Sequence, residues 1–174
     1  MRKHIIIWTD ASWENNAGYI GVVVYVFDDD QFYFAHAPVP AWMVLAWTPG
    51  AQKIGQAEVA AEVIPYFSLP FDMLYERRVI HFVDNTSALH CILNGYSRVP
   101  DTSWMVNLFH CFNCSLRAQV WWEYVASKAN PADGPSRQDF TLMQQLNAME
   151  FQLNLNPDFW LAPAEHFFLP ANGD

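Results

Sequence analysis

Asp10, Glu58, Asp84 and Asp133 are acids set in four different local contexts of this 174-residue chain. Asp10 closes the apolar run Ile5-Ile6-Ile7-Trp8-Thr9, and Asp84 closes a second, Val79-Ile80-His81-Phe82-Val83. Glu58 lies in Ile54-Gly55-Gln56-Ala57-Glu58-Val59-Ala60-Ala61-Glu62, which reads as a helix. Asp133 sits in Ala129-Asn130-Pro131-Ala132-Asp133, just after a third apolar run. An ionised carboxylate at the end of a buried strand is costly to desolvate unless a cation or donors neutralise it. A turn explains one such residue, whereas several converging from separate elements point to a divalent-metal site of oxygen ligands. Such ligands suit Mg2+, with Mn2+ as a substitute. Two ions about 3.5–4 Å apart would activate a water, stabilise a leaving oxygen and neutralise phosphoryl charge, the three needs of phosphodiester hydrolysis.

Each acid also has a plainer reading as a helix cap or turn residue. Asp84, just before Asn85-Thr86, would serve as an N-cap. That reading suits Asp84 or Asp133 alone and is poor for Asp10 and Glu58 together. Glu62, one helical turn beyond Glu58, projects to a similar side and reads as a solvated residue or one that supports Glu58 from behind.

The flanking residues carry a resemblance. Thr9-Asp10-Ala11-Ser12 followed by Gly18-Tyr19-Ile20-Gly21-Val22-Val23 resembles the opening hairpin of the ribonuclease H family. Glu58 with Ala60-Ala61 is similar to that family's first-helix glutamate, and Asp84-Asn85-Thr86-Ser87-Ala88 to its strand-end aspartate and following helix. The run from Ser127 to Arg137, Ser-Lys-Ala-Asn-Pro-Ala-Asp-Gly-Pro-Ser-Arg, is similar to the ribonuclease H end of retroelement reverse transcriptases, where an Asn precedes the last Asp. The order Asp, Glu, Asp, Asp across residues 4 to 145 makes the resemblance specific.

This resemblance implies an α/β fold, a ribonuclease H-like mixed five-stranded sheet of three antiparallel strands then two parallel ones, flanked by helices. It implies a two-metal-ion endonuclease that hydrolyses the RNA strand of RNA/DNA hybrids. Asp10 would bridge both ions, and Glu58, Asp84 and Asp133 would complete the ligand set. Ser12, Asn85, Lys128, Asn130 and Arg137 adjoin these positions and are the candidate substrate contacts. Trp13, Trp42 and Trp47 are candidates for stacking, with packing the plainer role for each. The expected partners are the RNA/DNA hybrid and an attached or associated reverse transcriptase.

Two departures separate the chain from cellular ribonucleases H. No His occurs between His110 and His166, so the helper His before the last Asp is absent or replaced by Lys128. No basic helix–loop protrusion precedes the fifth strand. Both departures resemble the retroelement versions. Integrases and transposases share the fold but usually end on Glu and lack a first-helix acid. Proofreading exonucleases need a second acid at the position of Ser12. A non-catalytic ribonuclease H-like scaffold or nucleic-acid-binding module is the alternative of a different class.

The elements that must position these residues follow from pattern. Ile5–Thr9, Tyr19–Phe27 and Phe32–Ala37 read as a meander, with Asp28-Asp29-Asp30 as a polar turn. A loop rich in Pro and Trp follows, then a helix over Ile54–Phe67 that stops before Pro70. Arg78–Val83 reads as a strand, Thr86–Leu93 and Trp104–Leu116 as helices, Val120–Val125 as the fifth strand, and Gln138–Met149 as a closing helix. Residues 1–150 form the expected catalytic domain. Residues 151–174, rich in Asn, Pro and aromatics, form an irregular extension that packs on it or meets a neighbour.

Hydrophobic content of 52% excludes a disordered chain. No apolar stretch approaches the roughly 20 residues that span a bilayer. Met1-Arg2-Lys3 precedes no small-residue cleavage site, so neither membrane nor signal peptide is expected. Three cysteines without disulfide spacing fit a reducing, intracellular setting. His110 with Cys111 and Cys114 has no second pair to complete a zinc site. The net charge of −9, with only nine Lys and Arg, is awkward for a nucleic-acid binder unless cations and another domain contribute.

Overall fold

The first strand runs well past its apolar residues. In the computed structural model, which describes residues 4–49 and 53–162, β1 spans Ile5–Glu14 and pairs antiparallel over its whole length with β2, Ala17–Val26. Asn15 and Asn16 take φ of 50° and 62° in the two-residue turn, the left-handed backbone that Asn tolerates and a tight hairpin requires. Asp10 therefore lies inside β1 rather than closing it. The strand continues because Ala11 to Glu14 keep their register with Ile20 to Ala17.

β3, Gln31–Pro38, adds antiparallel to β2. The acidic run makes the turn before it, with Asp30 at φ 52° and Asp28 ion-paired to the buried Arg77. β4, Arg78–Val83, joins the other flank of β1 in parallel, and β5, Gln119–Tyr124, joins β4 in parallel. These are the three antiparallel and two parallel strands expected. The count of five is corrected by a sixth, β6, Met149–Glu150, which pairs parallel with β3 and gives the order β5-β4-β1-β2-β3-β6. The closing helix is correspondingly short: α7 spans only Thr141–Gln145. Asn147 then takes φ 49°, and the Ala148 N–H turns back to the Met143 carbonyl. This left-handed ending frees the next residues to extend along β3.

The Pro- and Trp-rich stretch expected as loop contains a short helix, α1, Ala41–Ala46. α2 spans Lys53–Ser68 and is buried from Gln56 to Phe67. α3, Phe71–Leu74, leads into β4, and α4, Thr86–Asn94, leaves it. α5, Pro100–Leu116, begins four residues earlier than its periodicity suggests, with Pro100 in the first turn, where a missing N–H costs nothing. A 3-10 turn, Ser127–Ala129, and the single-turn α6, Asp133–Ser136, follow β5. The last helical turn described is α8, Pro157–Trp160.

The period of two in β2 shows how the layers form. Ile20, Val22, Val24 and Val26 join the main core, in which α2 lies against β1 and β2 with α4 and α5 beside it. Gly21 and Val23 point the other way, toward the segment that carries α6. Phe151, Leu153, Leu155 and Phe159 pack on the main core, and Trp160 is buried in it, held by its indole N–H on the Asn154 carbonyl at 2.7 Å. The rest of the extension, 163–174, and the basic start Met1-Arg2-Lys3 lie outside the described residues. Among described residues, no helix is long and apolar enough to cross a membrane.

Candidate metal centre

β1 and β4 place the first two acids. Their last paired position is Trp8 with Phe82, and Asp10 and Asp84 each stand two residues beyond it. β4 ends at Val83, so the flank of β1 beside Asp10 has no strand against it there. Glu58 reaches this notch from α2 and accepts the Ala11 backbone N–H. The result is a group of three carboxylates from three elements whose ligand oxygens all lie within 4.8 Å of one another.

Asp133 stands beside this group rather than in it. It opens α6, is partly exposed, and accepts from Arg137 Nε at 2.8 Å. Its charge is still near enough to raise the pKa of Asp10. Arg137 also pairs with Glu14 at 3.5 Å. α6 is seated by contacts that span the chain. Asn130 is buried, its amide donating to the Thr9 carbonyl at 2.9 Å while its oxygen accepts from the Ala132 N–H at 3.1 Å. Ser12 Oγ donates to the Ser136 carbonyl at 2.6 Å, and Ser136 Oγ donates to Asp10 Oδ2. Ser136 was not singled out from sequence, and its only signal was its place three residues after Asp133.

Burial dominates the electrostatics. It pushes Asp10 up to about 7, aided by Asp84 and Asp133 and opposed by the Ser136 hydroxyl and Arg137. It pushes Glu58 up to about 9, aided by the charges of Asp10 and Asp84 and opposed by the Ala11 N–H. Both carboxyls are thus raised well above the ordinary range, with burial the largest cause.

The other expected residues have distinct places. Asn85, not Asp84, caps α4, accepting from the Ser87 and Ala88 N–H groups at 3.0 and 3.1 Å, which leaves the Asp84 carboxylate to the acid group. Lys128 is exposed on the 3-10 turn. Trp13 lies 6.1 Å from Trp47 between ring centroids, and both pack on the core with Trp42. Cys111 is half-buried and Cys114 exposed on α5. Glu62 corrects the reading of a solvated acid: it is 1% exposed. Beneath the acids runs a polar line not anticipated from sequence. His81 Nδ1 meets the Tyr66 hydroxyl and its Nε2 meets Thr9 Oγ1, both at 3.0 Å. A His at an inward position of an otherwise apolar strand was the available signal.

No family model matches the chain, and no curated protein does. Solved structures do. A ribonuclease H1 from the halophilic archaeon Halobacterium salinarum is 12% identical, with a TM-score of 0.61 over 79% of this chain and 98% of that one. A ribonuclease H1 isolated from compost by a metagenomic approach is 17% identical, with a TM-score of 0.60 over 81% and 98%. The same compost enzyme, in complex with an RNA/DNA hybrid, is matched at 15% identity with a TM-score of 0.52 over 80% and 99%. The chain has the ribonuclease H fold.

Proposed function

We propose that this chain is a divalent-metal-dependent endonuclease that hydrolyses the RNA strand of RNA/DNA hybrids. The observation that carries the reading is the group of Asp10, Glu58 and Asp84 within 4.8 Å on this fold. The fold match to a ribonuclease H1 in complex with a hybrid supports the choice of substrate. The donor set fits hard divalent ions: three buried or half-buried carboxylates, two of which burial raises well above the ordinary range. Asp10, Glu58 and Asp84 would hold the first ion, and Asp133, released from Arg137, would help hold a second. Bound Mg2+ supplies an activated water and neutralises charge on the phosphoryl group.

The residues of the chain do the rest. Ser136 holds Asp10 in place through its hydroxyl, and the Ala11 N–H holds Glu58. Asn130 ties the Asp133 turn to β1. Positioning of this kind makes up much of the catalysis of phosphoryl transfer, because the protein forms no covalent bond to the substrate. Lys128, exposed on the 3-10 turn before Asn130, is the cation that would meet a phosphate in this reading.

The retroelement type is the finer reading. It rests on the Ser127–Arg137 run, on the three-residue turn that precedes Asn130 with no His, and on the short link between α4 and α5, which bears no basic protrusion. Among the described residues, few cations are free to grip a hybrid. Among the nine Lys and Arg, Arg77, Arg117 and Arg137 are paired to acids, and Lys53 is held by the Trp47 and Thr48 carbonyls. An attached polymerase would supply the missing affinity. The test is a substrate panel: an end-labelled hybrid, duplex DNA and duplex RNA, each incubated with Mg2+ or Mn2+. Selective cutting of the hybrid's RNA strand, leaving 3′-hydroxyl and 5′-phosphate ends, is expected. Equal cutting of duplex DNA, or no cutting with either ion, contradicts the reading and favours a scaffold.

A further inference from the structure

Glu62 lies one turn along α2 from Glu58, and both of its carboxyl oxygens are buried without a hydrogen-bond partner among the described residues. An ionised carboxylate in such a place is strongly destabilising, and even a neutral one left unpaired is costly. Its surroundings are not indifferent to polarity. Glu58, Glu62 and Tyr66 follow one another at four-residue spacing, so they share a face of α2. Tyr66 is satisfied by His81, and His81 by Thr9, the residue before Asp10. Glu62 is the one member of this line whose polar atoms have no partner, and the charges that act on it are those of Glu58 and Asp84. Burial first, then the charges of Glu58 and Asp84, raise it well above the ordinary carboxylate range, which favours the form that carries an O–H.

Resting on the metal reading above, we propose that Glu62 is a positioning residue for the ion site: its carboxyl O–H donates to the Glu58 carboxylate when a divalent cation is bound. One helical turn from Glu58 on the same face of α2, Glu62 is placed to fix the Glu58 rotamer from behind. The cost of an unpaired buried acid in the metal-free protein is thus returned on loading. A purely structural role would have favoured Leu or Met here, which fill similar volume without the penalty.

The test uses two variants and two readouts that need no substrate. Mn2+ is titrated calorimetrically into the whole chain, and the metal-free protein is melted. Glu62→Leu removes the donor and the buried polar group together, so it should raise the metal-free Tm and weaken Mn2+ binding about tenfold. Glu62→Gln keeps an N–H donor at the same reach and should bind Mn2+ within about threefold of the unaltered protein. Glu62→Leu binding as tightly as the unaltered protein overturns the proposal, as does Glu62→Gln falling as far as Glu62→Leu. If the unaltered chain itself takes up no Mn2+, the metal reading fails and the proposal with it. The two failures are therefore distinguishable.

Discussion

Asp10 and Gly21 face each other across the β1–β2 pair, and the missing side chain of Gly21 is what lets α6 reach Asp10. A Cβ on Gly21 would stand 2.5 Å from both the Ala132 carbonyl oxygen and the Ser136 nitrogen, a clash with backbone that no rotamer relieves. Gly21→Ala should therefore lift the turn that carries Asp133 and Ser136 while leaving the β1–β2 ladder paired. Hybrid cleavage should fall more than tenfold, and Tm should fall with it. Cleavage assays and thermal melts check both, and an Ala variant as active as the parent would show that the seat of α6 does not matter.

Ser136 opposes the burial that raises Asp10, because its hydroxyl donates to the charged form. Ser136→Ala removes that support, so Asp10 should hold its proton more tightly and compete less well for a cation. One hydrogen bond contributes about 1 kcal/mol, or roughly fivefold. Cleavage at pH 7 and limiting Mg2+ should drop by about that factor, and raising the pH to 8.5 should restore most of it. A loss of the same size at both values would mean that Ser136 serves packing instead.

Much of the site was legible because it lies in order along the chain. The spacing of Asp10, Glu58, Asp84 and Asp133, each beside its own apolar run or helix, marked the elements before their arrangement was known. What escaped depended on contacts that pattern does not encode. The length of β1 is set by register with β2 rather than by its own apolar residues, so the apolar pattern stops at Thr9 while the strand runs on past Asp10. β6 has two residues, too few to alternate. The Ser136–Asp10 bond joins positions 126 residues apart. For Glu62 the sequence leaves two readings, solvated or supporting Glu58 from behind, and its burial at 1% exposure removes the first.

Metal-free stability should depend on pH with a sign fixed by these acids. Asp10 moves from 3.8 to about 7, and Glu58 from 4.5 to about 9. The folded chain holds protons that the unfolded chain releases, so this stabilisation is complete below about pH 4 and lost as pH rises through 7 and 9. His81 acts in the opposite sense: burial lowers it from 6.5 to about 3, so its contribution is complete above pH 6.5 and lost as pH falls toward 3. Above pH 6.5 the contribution of His81 is constant, and Asp10 and Glu58 set the slope. The Tm in a chelator should fall steadily from pH 6.5 to 9, and saturating Mg2+ should flatten that slope. A chelated protein whose Tm stays level or rises over this range would contradict the assignment of buried, proton-holding acids.

The central claim, that the acids of three elements form one ion site that cuts a hybrid, is tested most directly through Asp10→Asn. The variant keeps the shape of the side chain and, at pH 8, above the raised value of Asp10, removes one of the charges that crowd the notch. Cleavage of a labelled RNA/DNA hybrid and melting with and without Mg2+ should be measured side by side for the variant and its parent. Cleavage by the parent should depend on Mg2+ or Mn2+ and be lost in Asp10→Asn. The variant should melt higher than the parent in chelator and gain less from Mg2+. A variant that melts lower in chelator, gains as much from the ion and still cuts would show that Asp10, Glu58 and Asp84 do not act as one site.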